Sequence, residues 1–205
     1  MHTHARDASS IHCLSLSMST LRFISWNVHG DGSREKRISN KLKDLQADVV
    51  LLQEINLSKT AADVLTTAQL PHVYSACYIS RQRGVAILVS RRVNFTVNNT
   101  VIDPEGRFLI VNLSLQNMNL CIANIYGPNV DNPSFFHSFF TSLSDHSDNT
   151  LIIGGDFNMV SDSGVDRLST SGSQRNWHST NIVKQYMNDF GLCDTWRSHH
   201  PTLRD

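Results

Sequence analysis

Five polar side chains of this sequence stand directly after apolar runs. Asn27 ends FISWN, Glu54 ends VVLLQE, Tyr126 ends LCIANIY, and Asp156 and Asn158 complete LIIGGDFN. In sheets packed between helices, ligands gather at the ends of strands. The spacing therefore predicts one polar site that collects these five groups from distant parts of the chain.

The chemistry of the set points to phosphate. Two carboxylates and two amides supply hard oxygen ligands, with no Cys or His at metal-ligand spacing, so a Mg²⁺-type ion is favoured over zinc. Gly154 and Gly155 allow backbone or substrate to approach closely. Strand alternation is expected to turn Asp156 and Asn158 to one side, where an Asp and an Asn can orient and deprotonate a water molecule.

Each of these residues alone also has an ordinary structural interpretation. Glu54 fits a helix N-cap or a solvated strand end. Asn27 in Asn-Val-His-Gly and Tyr126 in Tyr-Gly-Pro-Asn both fit turns. The segment GGDFN is more specific, and only the combination in this order favours catalysis.

Strand-like and helix-like patterns alternate along the chain. The five strands between residues 73 and 126 follow one another without a helix, which favours antiparallel pairing. Asn132 is the predicted N-cap of a helix that begins at Pro133, and Gly191 is predicted to end the last helix. A Ser-, Asp- and Gly-rich loop is expected at 161–179. The predicted strands are 21–26, 48–53, 73–79, 84–90, 94–101, 107–115, 120–126 and 151–153, and the predicted helices are 34–45, 60–70, 133–143 and 180–190.

Length and charge limit the classes of protein. The 205 residues, of 23.0 kDa, suit one domain, which we place at 19–205 after a disordered leader at 1–18. Lys and Arg number 18, as do Asp and Glu, so no global field attracts nucleic acid or a membrane. Apolar runs are too short for a membrane span, and no secretory signal is evident, so a nuclear or cytoplasmic location is expected.

Several motifs together resemble the endonuclease/exonuclease/phosphatase superfamily. They are WN at 26–27, LLQE at 51–54, GVAILVS at 84–90, NIYGPN at 124–129 and IIGGDFN at 152–158. The match is most similar to the endonuclease domain of LINE-type, non-LTR retrotransposons, given the further stretches DPEGR at 103–107, DR at 166–167 and WRSHHP at 196–201. The resemblance extends over about residues 21–203.

This resemblance implies a four-layered α/β sandwich, with two mixed β-sheets flanked by helices. It also implies a Mg²⁺- or Mn²⁺-dependent enzyme that nicks double-stranded DNA and leaves a 3′-hydroxyl to prime reverse transcription. Glu54 would ligate the metal with Asn27 beside it, Tyr126 would contact the scissile phosphate, and Asp156, oriented by Asn158, would activate water. A reverse transcriptase domain encoded downstream is the implied partner, and no membrane is involved.

The sequence departs from the family pattern at its end. An aromatic β-hairpin, a Ser-x-Ile-Asp-type strand and a final Ser-Asp-His are not present after 196–201. His199 and His200 are expected to be solvated loop residues rather than the missing histidine. We therefore expect a domain that lacks its last strands and is weakly active or inactive, or a piece of a longer reading frame.

DNA binding would depend on local arginines in predicted loops, where binding residues concentrate. The candidates are Arg81, Arg83, Arg167 and Arg175. Two other functions remain open at this point: a phosphatase or phosphodiesterase acting on a small phosphoester, and a non-catalytic remnant that binds DNA weakly.

Overall fold

The computed structural model describes residues 9–16, 19–29, 42, 46–58, 64–78, 82–116, 118–159 and 178–202. The chain divides into two compact units. Unit 1 comprises Met1–Tyr126 and Asn149–Asp156, and unit 2 comprises Gly127–Asp148 and Phe157–Asp205. The described strands all lie in unit 1, and unit 2 contains three helices within its described residues.

The first sheet of unit 1 has the strand order β1-β2-β3-β5-β4. Its strands β2 and β3 are parallel, whereas the other neighbours are antiparallel. The strands are β1 (Ser9–Leu16), β2 (Ser19–Asn27), β3 (Val49–Gln53), β4 (His72–Cys77) and β5 (Gly84–Val89).

The second sheet of unit 1 has the strand order β6-β7-β8-β9. Here β8 and β9 are parallel, and β6, β7 and β8 form an antiparallel meander. The strands are β6 (Thr96–Ile102), β7 (Phe108–Leu115), β8 (Met118–Tyr126) and β9 (Thr150–Asp156). Each sheet is mixed, and each contains one parallel pair.

Alternation along the strands builds the core between the two sheets. Val49 and Leu51 of β3 pack with Val111 and Ile122 of the second sheet in one buried cluster. The intervening residues of β3 enter a separate cluster on the opposite face of the first sheet, represented by Leu52. Because both faces of β3 are buried, this strand reads as an uninterrupted apolar run.

Unit 2 contains helices α1 (Pro133–Ser144), α2 (His178–Asp189) and α3 (Thr195–His199). Aromatic side chains join α1 to α2: the rings of Phe140 and Tyr186 stack with centroids 4.7 Å apart. None of the helices in the described ranges has the length and apolar character required to cross a membrane.

Most predicted elements are confirmed, and helix α1 begins as expected. The Asn132 side chain accepts a hydrogen bond from the backbone of Phe135, and Pro133 occupies the first turn. Gly191 follows α2 with a φ of 62°, the conformation expected of a glycine that ends a helix. Apart from Leu42, which is helical and buried, the predicted helix at 34–45 lies outside the described residues, as does most of the loop at 161–179.

Four expectations need correction. Residues 9–16 of the leader expected at 1–18 form β1, which pairs antiparallel with β2 over its whole length. Residues 66–70 are not helical, since Leu70 donates its backbone N–H to the Thr67 hydroxyl at 3.0 Å in a local turn. The five consecutive strands do not form one antiparallel sheet. Strands β4 and β5 pair in the first sheet, and β6, β7 and β8 pair in the second, because the chain changes sheets after β5. His199 ends a short helix, and the His200 ring lies 4.1 Å from that of Trp196.

Candidate active site

Parallel strand pairs bring four of the predicted site residues to one edge of unit 1. Asn27 ends β2 and is the register partner of Gln53, which precedes Glu54. Tyr126 and Asp156 are register partners at the ends of β8 and β9. Because parallel neighbours end at the same edge, each parallel pair brings two side chains together. Each sheet thus contributes two of the four.

The side-chain amide of Asn27 connects the two sheets. Its Nδ2 donates to Glu54 Oε1 at 2.8 Å and to Asp156 Oδ2 at 2.8 Å. Asn27 Oδ1 accepts the backbone N–H of His29 at 3.0 Å, which fixes the direction of the amide. Two carboxylates therefore lie against one nitrogen, and negative charge is concentrated at a partly buried point.

The backbone around Glu54 is turned sharply to deliver its carboxylate. Glu54 has a φ of 54°, and His29 and Asn56 have φ values of 50° and 49°. This left-handed conformation costs a non-glycine residue about 1–2 kcal/mol and is often found at functional sites. His29 Nδ1 lies 3.9 Å from Glu54 Oε1.

The pKa of the Tyr126 phenol reflects the negative charge of the site. Burial raises the pKa of its phenol most, followed by the charge of Glu54, a hydrogen bond to Glu54 and the charge of Asp156. The positive charge of Arg107 acts in the opposite direction on this pKa. The phenol is therefore a neutral hydrogen-bond donor at physiological pH, directed at the acidic cluster.

The glycines before Asp156 are required by close approach. A Cβ on Gly155 would lie 2.0 Å from the backbone oxygen of Ile125, and φ at Gly155 is 140°. A Cβ on Gly154 would lie 2.4 Å from Leu51 Cδ1, between the two sheets. Side chains at these positions would displace the strand that carries Asp156.

Asn158 belongs to unit 2. Strand β9 ends at Asp156, and Asn158 has a φ of 52°, so strand alternation does not govern the direction of its side chain. Its Nδ2 donates to the backbone oxygen of Gly127 at 2.8 Å. The intervening Phe157 stacks on Phe136 with ring centroids 6.3 Å apart, which anchors this segment in unit 2.

Arg107 is a candidate that the sequence analysis missed. Its guanidinium carbon lies 5.8 Å from the centre of the Tyr126 ring, and its Nη1 donates to the Tyr126 backbone oxygen at 3.4 Å. Burial and the nearby charge of Arg83 lower the pKa of Arg107. The signal was the DPEGR stretch, which carried the family resemblance but suggested no role for its arginine.

Of the four predicted DNA-contacting arginines, Arg83 is described. Its Nη1 lies 3.0 Å from Glu105 Oε2, and its guanidinium lies 4.5 Å from the centre of the Tyr78 ring. It precedes β5 at the end that borders the turn after Gln53, because Gln53 pairs with Val85. The other three, Arg81, Arg167 and Arg175, lie outside the described residues.

The donor set suits a hard divalent ion. Among the residues that the structure describes, no three His, Cys, Asp or Glu side chains are grouped so as to hold a metal ion. Mg²⁺ is typically bound by one or two protein carboxylates, with water and substrate phosphate completing its shell. The paired carboxylates of Glu54 and Asp156 fit that pattern, whereas structural zinc sites use four protein ligands.

Comparison with solved structures shows the fold. The AP endonuclease LMAP from Leishmania major aligns with a TM-score of 0.75 at 16% identity, covering 89% of this chain and 70% of that chain. The endonuclease domain of TRAS1, a telomere-specific non-LTR retrotransposon, aligns with a TM-score of 0.57 at 14% identity. The alignment covers 83% of this chain and 71% of that chain. The predicted α/β sandwich class, with two mixed sheets and helices, is confirmed.

Sequence comparison extends the relationship to the family level. Exodeoxyribonuclease III of Haemophilus influenzae is 24% identical over 211 residues, covering 90% of this chain and 78% of that protein. The sequence model of the Endonuclease/Exonuclease/phosphatase family matches residues 24–205. Since that match covers most of the chain, the chain belongs to the endonuclease/exonuclease/phosphatase family.

Proposed function

We propose that this protein is a Mg²⁺- or Mn²⁺-dependent endonuclease that hydrolyses a phosphodiester bond of double-stranded DNA. The observation that carries the proposal is the Asn27 amide, which holds the carboxylates of Glu54 and Asp156 together. Phosphoryl transfer needs positioning and charge neutralisation more than covalent participation. Rigidly placed acids at the end of two sheets are suited to both.

Glu54 would hold the divalent cation through its carboxylate oxygens, with Asn27 beside it. The ion would polarise a phosphate oxygen and offset the charge that develops on it. The raised pKa of Tyr126 supports this assignment, because part of its rise comes from the negative charges of Glu54 and Asp156.

In the proposed reaction, Asp156 accepts a proton from a water molecule whose oxygen attacks phosphorus. That Asn158 orients this carboxylate is proposed from the sequence alone. The new O–P bond forms as the bond between phosphorus and the 3′ oxygen breaks, and the 3′ oxygen takes a proton from solvent. The phenol of Tyr126 donates to a non-bridging phosphate oxygen. The products are a 3′-hydroxyl and a 5′-phosphate.

Arginines in predicted loops would hold the flanking DNA phosphates. Arg83 precedes β5 at the end that borders the site, and Arg81, Arg167 and Arg175 are proposed for the same task from the sequence alone. A net charge of zero implies modest affinity that falls steeply with salt. Target choice would then depend on DNA shape more than on base contacts.

We further propose a role in target-primed retrotransposition. The GVAILVS, DPEGR and WRSHHP stretches support this finer assignment. The 3′-hydroxyl left by nicking would prime a reverse transcriptase, which is the proposed partner. A phosphatase or phosphodiesterase acting on a small phosphoester, and a non-catalytic DNA-binding remnant, are the competing functions.

The test is nicking of supercoiled plasmid by the full chain, with Mg²⁺ or Mn²⁺ at low salt and long incubation. We expect weak conversion to the open circle, abolished by EDTA and by Glu54→Ala or Asp156→Ala. The exposed acid Asp148 provides a matched control, and Asp148→Ala should nick at the wild-type rate.

Three other outcomes would contradict the proposal. Faster hydrolysis of a small phosphoester than of plasmid would favour the phosphatase function. Salt-dependent DNA binding without nicking, unchanged by EDTA or by Glu54→Ala, would favour the remnant. Nicking that persists in both acid variants would place the chemistry elsewhere.

A further inference from the structure

A buried pair of amide side chains joins the two sheets of unit 1. Gln53 at the end of β3 is 1% exposed, and Asn124 of β8 is completely buried. Gln53 Nε2 donates to Asn124 Oδ1 at 2.7 Å. Asn124 Nδ2 in turn donates to the backbone oxygens of Leu52 at 2.9 Å and Ala86 at 2.8 Å. This amide bridge, Gln53 with Asn124, therefore ties β8 to both β3 and β5.

The bridge also reaches the strand that carries Asn27. Gln53 Nε2 lies 3.2 Å from the hydroxyl oxygen of Ser25 in β2 and 3.1 Å from the backbone oxygen of Leu51. One amide group is thus within hydrogen-bonding distance of acceptors on three strands of two sheets.

Each of the four site residues in unit 1 lies close to the bridge, either as a register partner of a bridge residue or within two positions of a bridge residue or its register partner. Asn27 is the register partner of Gln53, and Glu54 is the next residue in the chain. Tyr126 follows Asn124 by two positions, and Asp156 follows Gly154, the register partner of Asn124, by two.

Apart from this bridge and the bond from Asn27 to Asp156, the described contacts between the sheets are mainly apolar. The core between the sheets is otherwise made largely of aliphatic side chains such as Leu51, Val111 and Ile122. Apolar contacts are non-directional and tolerate small displacements of one sheet against the other. A buried amide loses its partner when the sheets shift, and an unsatisfied buried donor is costly.

We infer that Gln53 and Asn124 are positioning residues, which set the separation of the two sheets so that one Asn27 amide can hold both carboxylates. The inference rests on the proposed function for its catalytic consequence, but the geometry it claims exists without metal or DNA. It predicts that breaking the bridge releases Asn27 from Glu54 or Asp156 while the fold persists.

The test follows the side-chain amide of Asn27 by ¹H–¹⁵N NMR in metal-free protein, with the resonances assigned by their loss in Asn27→Ser. In Gln53→Asn the side chain is one methylene shorter and cannot reach Asn124. We expect the two Asn27 amide protons to exchange with solvent at least about tenfold faster than in the wild type. The double variant that swaps the two residues, Gln53→Asn with Asn124→Gln, restores the combined length of the two side chains. It should restore slow exchange of the Asn27 amide protons with solvent.

A matched core variant separates positioning from stability. Leu113→Val removes one methylene from the same inter-sheet core, at a register pair with Leu120 far along β7 and β8 from Tyr126. It should lower thermal stability without changing the Asn27 resonances. If Gln53→Asn also leaves them unchanged, the inference is overturned.

The kinetic readout links the bridge to catalysis. In plasmid nicking, Gln53→Asn should lower kcat by about 10- to 100-fold and change KM by less than about twofold, since misplacement of reacting groups affects the chemical step. Equal changes in kcat for Gln53→Asn and Leu113→Val would contradict the inference. If the wild type does not nick, the proposed function fails, and the NMR result still decides the inference.

Discussion

Two hydrogen-bonded clusters, one around Asp131 in unit 2 and one around Glu54 and Asp156 in unit 1, use carboxylates for different purposes. In unit 2, Asp131 accepts backbone N–H bonds from His178 at 3.0 Å and Ser179 at 2.9 Å, and it also contacts the Ser179 hydroxyl. In unit 1, the carboxylates of Glu54 and Asp156 share the amide nitrogen of Asn27. The first cluster holds the beginning of helix α2, and the second concentrates charge.

The difference is visible in the pKa values. Hydrogen bonds from Ser179 and His178 lower the pKa of Asp131 from 3.8 to about 2, because they stabilise its charged form. In unit 1, the pKa of Tyr126 rises, partly because Glu54 and Asp156 repel a phenolate. A carboxylate with several protein donors is structural, whereas carboxylates that leave a negative field beside a phenol can attract a cation.

The largest expected effect is that of Asp156→Asn on activity. We expect the initial rate of plasmid nicking to fall by about 10² to 10⁴, because the general base is lost. Thermal stability without metal should be equal or higher, since one of two neighbouring negative charges is removed. Asp131→Asn should show the converse. It should nick at the wild-type rate when assayed below its unfolding temperature, but its thermal stability should be lowered. Loss of activity in both variants alike would remove the distinction between the clusters.

The backbone of the two units should also respond differently. Gly155→Ala places a Cβ against the Ile125 backbone oxygen at a φ of 140°, and should lower the free energy of unfolding by about 2–4 kcal/mol. Gly191→Ala, at a φ of 62° with nothing within 4 Å of the added Cβ, should cost only about 1 kcal/mol. Urea denaturation measures both, and equal losses would contradict the close approach at Gly155.

The Asp131 cluster predicts a pH dependence of stability. Because the folded-state pKa is lowered to about 2 from an ordinary 3.8, the stabilisation is fully present above 3.8 and is lost as the pH falls toward about 2. Asp131→Asn should be less stable than the wild type at pH 6, and the difference should shrink in acid. Unfolding midpoints across this range test it, with Asp148→Asn of the same unit as the control. A constant difference would contradict the assignment.

The smallest effect is expected from one arginine beside the site. Arg83→Met should weaken DNA binding a few fold and reduce the slope of log affinity against log salt by about one. Arg91 lies beyond the other end of β5, so Arg91→Met should leave the slope unchanged. Fluorescence anisotropy at several salt concentrations distinguishes the two, and equal slopes would exclude Arg83 from the DNA-binding surface.

Much of the fold could be predicted because local patterns decide it. The apolar run at 48–53 predicted β3, since a strand buried on both faces needs no polar alternation. Asn132 and Pro133 predicted the beginning of α1 for reasons that lie within four residues of chain. Residues 66–70 were predicted helical and are not, because the Thr67 hydroxyl offers the backbone a competing turn.

The sequence by itself determined which chemistry the site can do: two carboxylates, two amides and a phenol, which end or closely follow apolar runs, and glycines before Asp156. Only the tertiary structure decided that Asn27 holds Glu54 and Asp156 together and that Arg107 lies over Tyr126. It alone revealed the amide bridge of Gln53 and Asn124. Residue types and strand ends are properties of short segments, whereas these contacts depend on how two sheets, built from separate parts of the chain, are packed together.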